Sequence, residues 1–98
     1  MKFVLDGTAA IMLQPARFRI LQTLRDHGPA FVDQIAQKTG VHPRMVSHHL
    51  DVLEEQKLIE SKYELATIDG TKRGVAVRTC KITERAEEAL KDIRESTK

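Results

Sequence analysis

Apolar residues recur at helical spacing through the first 57 positions and switch to a strand-like pattern from 58 to 82. Lys2–Leu13 reads as a first helix with Phe3, Val4, Ile11, Met12 and Leu13 as its apolar positions. Gly7 weakens it by about 1 kcal/mol relative to alanine. At Gln14-Pro15 the residue before proline is pushed out of the α region, while proline suits the first position of a new helix. A second helix therefore runs from Pro15 to Asp26, burying Phe18, Leu21 and Leu24 with Ile20 beside them and turning Arg17, Arg19, Gln22 and Arg25 outward. His27-Gly28-Pro29 stops it. Phe31-Val32 is a one-bridge strand, and Asp33 caps a short helix Gln34–Lys38 that buries Ile35 and Ala36. Thr39-Gly40-Val41-His42 is then the glycine-containing turn between two helices.

The helix after that turn, His42–Lys57, has two unlike faces. Val46, Leu50 and Leu53 fall at i, i+4 and i+7 and form an apolar stripe. Arg44, Ser47, His48 and Asp51 form a second, polar stripe of short hydrogen-bonding groups led by an arginine. Such a face suits base edges in a major groove, and equally a solvated helix surface. Leu58–Ile68 and Val75–Ile82 then read as two strands of a hairpin. Asp69–Gly74 joins them and carries Lys72 and Arg73 at the tip. Thr83 caps a last helix that runs to Ser96, with Ala86, Ala89, Leu90 and Ile93 on one face. Its early glutamates and late Lys91 and Arg94 complement the helix dipole.

Composition narrows the class. Ninety-eight residues imply one domain, 1–98, divided into an N-terminal helix (1–13), a helical core (15–57), a wing (58–82) and a C-terminal helix (83–96). The fold class is mainly α with a β-hairpin wing: a winged helix-turn-helix flanked by terminal helices. No apolar run approaches the roughly 20 residues that span a bilayer. Residues 1–13 do not read as a signal peptide, and the single Cys80 suits a reducing compartment, so the expected location is cytoplasmic. Net charge is only +2, and residues 41–78 carry six basic and six acidic side chains, so DNA binding must rest on where charges sit.

At Gln14–Leu21, Val46–Ile59 and Ile82-Thr83-Glu84 the chain resembles ArsR-type winged-helix transcription regulators, with the last junction also resembling MarR- and PadR-like ones. The resemblance spans nearly the whole chain. It implies a homodimer on double-stranded DNA with one recognition helix per half-site, paired through the first and last helices. The expected dimer residues are Phe3, Val4, Ile11, Ala86, Ala89, Leu90 and Ile93. It also implies that His49 packs beside the helix-turn-helix core while His48 faces DNA. Two metal sites known in that family are absent: Phe31–Lys38 has no cysteine, and Thr83–Ser96 has no histidine. No metal and no cofactor are expected.

The histidines support that view. His48 and His49 are adjacent and diverge by about 100° on a helix. His42 and His49 lie two turns apart. Cys80 reads as a small buried hydrophobe, with a redox switch through an intermolecular disulfide as the lesser alternative. No catalytic site emerges: Ser47 and His48 diverge, and no glycine-rich phosphate loop precedes a helix. The expected protein is a sequence-specific regulator, a repressor by preference. Arg44, Ser47, His48 and Asp51 would meet base edges. Lys38, Thr39, His42, Lys72 and Arg73 would meet the backbone. Two other readings are a protein–protein adaptor, favoured by the neutrality of 41–78, and a sequence-indifferent architectural protein, disfavoured by the weak charge.

Overall fold

Proline-led helices alternate with glycine stops, and a hairpin follows them. A computed structural model describes residues 8–67 and 74–96. Its elements are α1 (Thr8–Met12), α2 (Pro15–His27), β1 (Ala30–Phe31), α3 (Val32–Thr39), α4 (Pro43–Glu55), β2 (Ile59–Thr67), β3 (Gly74–Ile82) and α5 (Glu84–Ser96). The expected start of the first helix, with Phe3 and Val4, lies outside the described residues, as do Lys72 and Arg73.

The strands form one antiparallel sheet in the order β1-β3-β2. The hairpin register runs from Ile59↔Ile82 to Thr67↔Gly74, and β1 adds Ala30↔Cys80 and Phe31↔Thr79 on the other edge of β3. β1 sits one residue earlier than expected because Val32 already belongs to α3. Asp33 is accordingly not the cap of that helix. Phe31 occupies the N-cap position, and its N–H donates to Gln34 Oε1 at 3.1 Å, while Asp33 lies in the first turn, where the helix dipole favours a carboxylate. Thr83 does cap α5, its hydroxyl accepting from the Ala86 N–H at 3.2 Å.

Helix α4 ends at Glu55, two residues short of the expected Lys57. The Lys57 N–H bonds Glu54 O and the Leu58 N–H bonds Leu53 O, both at 2.9 Å. That pair of bonds is a Schellman motif, and its left-handed position is held by Lys57 (φ 60°), where glycine is usual. Leu53 and Leu58, the apolar partners of the motif, are both fully buried. The same corner ties down the start of α5: the Thr83 hydroxyl donates to Lys57 O at 2.9 Å, and its N–H to Leu58 O at 3.1 Å.

Ile20, Leu21 and Leu24 of α2, Ile35 of α3 and Val46, Leu50 and Leu53 of α4 make the centre of the core, with Leu58, Ile59 and Cys80 from the sheet. The last helix requires a correction. Ala86, Ala89, Leu90 and Ile93 were expected to face a second chain, but they are 0, 0, 2 and 8% exposed within one chain. They join the same cluster as Met12 and Leu50, with Ile11 partly buried against it. A 98-residue chain with 4% aromatic residues needs that apolar stripe for its own core.

Candidate nucleic-acid interface

The turn between α3 and α4 is closed by its own side chains. Gly40 takes the left-handed conformation (φ 75°, ψ 8°), and its N–H bonds Ala36 O at 2.9 Å. The Thr39 hydroxyl donates to Ile35 O at 2.7 Å and accepts from the Val41 N–H at 3.2 Å. Thr39 is therefore buried and fully engaged, which corrects its expected role as a phosphate contact. Arg19 Nη1 donates to the Thr39 carbonyl at 3.3 Å and clasps the turn to α2.

His42 is the N-cap of α4, and its Nδ1 accepts from the Arg44 N–H at 3.1 Å, with Pro43 in the first turn. A neutral imidazole that accepts at Nδ1 carries its proton on Nε2, so an exposed donor stands at the positive end of the helix. Lys38, at the end of α3, is exposed nearby in sequence.

The two faces of α4 separate as the spacing predicts. Val46, Leu50 and Leu53 are wholly buried. Arg44, His48 and Asp51 are exposed, and Ser47 is half-buried. His49 is 4% exposed on the core side, where its Nδ1 accepts from Arg17 Nε at 3.1 Å. Arg17, expected to face solvent, instead links α2 to α4. Burial pushes the His49 imidazole below its ordinary histidine range, and the Arg17 and His48 charges push it the same way. Among the described residues, no group of three histidine, cysteine or acidic side chains is placed to hold a metal.

A further correction concerns Asp51. Its carboxylate accepts from Arg78 Nη1 at 2.7 Å. The same guanidinium reaches Glu54 with Nη2 at 3.5 Å and the Ser61 hydroxyl with Nε at 3.1 Å. Ser61 in turn donates to Glu54. Asp51 is thus neutralised by the wing, not presented bare to a base. Burial disfavours the Arg78 charge, but the Asp51 hydrogen bond and the surrounding negative groups outweigh it and hold the guanidinium above its ordinary range. Nothing in the polar stripe alone pointed to Arg78. The signal was an arginine in β3 two residues before Cys80, on the face that alternation turns inward. Cys80 is buried, and burial pushes its thiol up.

The helix-turn-helix domain model matches residues 12–62, just over half of the chain. The chain belongs to the helix-turn-helix domain family. No curated protein matches it in sequence. Among solved structures it is similar to a transcriptional regulator homologue protein from Pyrococcus horikoshii OT3, with a TM-score of 0.74 and 20% identity over 99% of this chain and 91% of that one. It is similar to the transcriptional repressor BigR from Xylella fastidiosa, with a TM-score of 0.68 and 20% identity over 94% of this chain and 86% of that one. It also resembles a MarR family transcriptional regulator from Silicibacter pomeroyi DSS, with a TM-score of 0.71 and 20% identity over 94% of this chain. This helix-turn-helix chain spans only 56% of that regulator's length. The shared fold is a winged helix-turn-helix, with α3 and α4 as the helix pair and β2–β3 as the wing. No helix among the described residues is long and apolar enough to cross a membrane.

Proposed function

We propose that this helix-turn-helix protein is a cytoplasmic, sequence-specific regulator of transcription that binds double-stranded DNA as a homodimer at an inverted repeat. The observation that carries the reading is the division of α4: Val46, Leu50 and Leu53 fully buried, with Arg44 and His48 exposed and Ser47 half-exposed along the opposite side. In this reading Arg44 donates to a guanine edge, and Ser47 and His48 complete the base contacts. His42 Nε2 and Lys38 hold phosphates at the mouth of the groove. Lys72 and Arg73, in the segment joining β2 to β3, meet the backbone beside it. Occupation of a promoter by such a dimer excludes polymerase, which makes repression the favoured outcome; the likeness to a protein titled a repressor supports the same choice.

The homodimer uses surfaces other than the stripe Ala86–Ile93, which the fold consumes. Leu13 is 50% exposed at the end of α1, beside the partly buried Ile11, and supplies apolar area there. The test is selection of bound duplexes from a random pool at near-physiological salt. Enrichment of an inverted repeat, with half-sites about one helical turn apart, is expected. Retention without a shared sequence would support the architectural reading. No retention would make the Arg44–His48 face a surface for a protein partner.

A further inference from the structure

We propose that Arg78 is a positioning residue that sets the angle between the wing and the recognition helix α4, and thereby allows both to meet one duplex. The inference rests on the DNA-binding reading above. Alternation turns residues 78, 80 and 82 of β3 to one face, and Ile82 and Cys80 on that face pack into the core. Arg78 is the next position outward, and its side chain is only 14% exposed. Its three guanidinium nitrogens go to three groups: Nη1 to Asp51, Nη2 to Glu54 and Nε to the Ser61 hydroxyl. Two of those partners lie on α4, at i and i+3, and the third lies on β2. One side chain therefore joins the helix to both strands of the hairpin.

Apart from this fork, the described residues hold the wing to the helices near its base: at the Lys57–Leu58 corner, where the Schellman bonds and the Thr83 contacts converge, through Ile59 and Cys80 in the core, and through the Ser61 hydroxyl on Glu54. A hairpin held only at its base can still bend beyond it. Arg78 is four residues from Ile82, about 13 Å along the strand, so it supplies a second and distant point of attachment. Two points fix a direction. The other wing ion pairs do not: Lys62–Glu64 and Lys81–Glu60 both lie within the sheet itself. An apolar side chain would satisfy the half-buried position without the cost of desolvating a charge. It would not aim at α4. A planar fork with donors in fixed directions does, and lysine cannot replace it in that task.

The test uses the operator recovered by selection and compares the wild-type chain with Arg78→Gln, Asp51→Asn and the double variant. Base preference, the salt dependence of affinity and a hydroxyl-radical footprint are read for each. Both single variants should keep the wild-type base preference, because Arg44, Ser47 and His48 are untouched. Their salt slope should fall by about two, the number of cations (Lys72 and Arg73) whose phosphate contacts depend on the wing angle. Backbone protection flanking the major-groove contacts should vanish with it. The double variant should be no worse than either single one. An unchanged slope and footprint in variants of an operator-binding wild type would overturn this inference alone, as would additive losses. A wild-type chain that retains no duplex would overturn the DNA-binding reading and this inference with it. If Arg78→Gln fails to fold, Asp51→Asn, on an exposed face, carries the same comparison.

Discussion

Acid should loosen the contact between α2 and α4, and the size of the effect follows from one proton. His49 is 4% exposed and accepts from Arg17 Nε at 3.1 Å, so its Nδ1 carries no proton in the folded state. Protonation would remove the acceptor and place two cations against each other in a half-buried site. Burial first, then the Arg17 and His48 charges, lower the folded pKa below the ordinary 6.5. The unfolded chain thus binds the proton more readily than the folded one. Stability contributed by the neutral ring is fully present above pH 6.5 and is lost as pH falls toward the folded value. One proton taken up on unfolding changes stability by at most about 1.4 kcal/mol per pH unit. For a domain of this size that corresponds to about 6–11 °C in Tm per pH unit inside the window. Thermal melts by circular dichroism between pH 7.5 and 5.5 would measure it. His49→Asn provides the control, because asparagine offers Arg17 an acceptor near the Nδ1 position but does not titrate. The exposed His27, His42 and His48 are common to both proteins. Parallel pH profiles for the two proteins, or a wild type that gains stability relative to the variant as pH falls, would refute the account.

Arg44→Ala should cost about 1–3 kcal/mol on the selected duplex and relax preference at one base pair, measured by competition binding against single-site variants of the operator; equal loss on every sequence would make Arg44 a phosphate contact. Lys57→Gly should raise stability by about 1 kcal/mol in urea unfolding, because it relieves a left-handed backbone at φ 60° while keeping both Schellman bonds. Leu13→Glu should shift the chain toward monomer in sedimentation equilibrium, since Leu13 is the exposed apolar side chain beside α1; an unchanged association constant would move the dimer interface elsewhere.

Most of the fold was legible because local signals agreed with each other. Pro15, Gly28, Gly40 and Pro43 bracket α2, α3 and α4, and the apolar stripe Val46, Leu50 and Leu53 is buried as its period requires. The misses have separate causes. Lys57 carries a left-handed conformation with no glycine to announce it, so α4 seemed two residues longer. Thr39 looked like a phosphate contact by position, but a hydroxyl one turn from Ile35 O is satisfied within its own helix. The stripe Ala86–Ile93 has the spacing of any buried helix face, and periodicity does not say whether the covering surface comes from the same chain or a second one. Arg17–His49 and Asp51–Arg78 join residues 32 and 27 positions apart, and such pairs leave no trace in local spacing.

Charge placement separates the DNA-binding reading from its rival. The neutrality of residues 41–78, six basic against six acidic side chains, was the feature that favoured a protein adaptor. The structure distributes those charges unevenly. Asp51 and Glu54 engage Arg78, Glu60 engages Lys81, and Glu64 engages Lys62. Four of the six carboxylates are thus matched to cations of the wing, toward the C-terminal end of α4 or beyond it. Among the described residues, none pairs with Arg44 or with Lys38, which flank the N-terminus of that helix. That end also presents the positive pole of the helix dipole and the His42 cap. A field confined to one helix end is invisible to net charge, because carboxylates paired with the wing cancel its total without cancelling its local value. The surface offered to a partner at the start of α4 is therefore positive, and a phosphate backbone fits that sign.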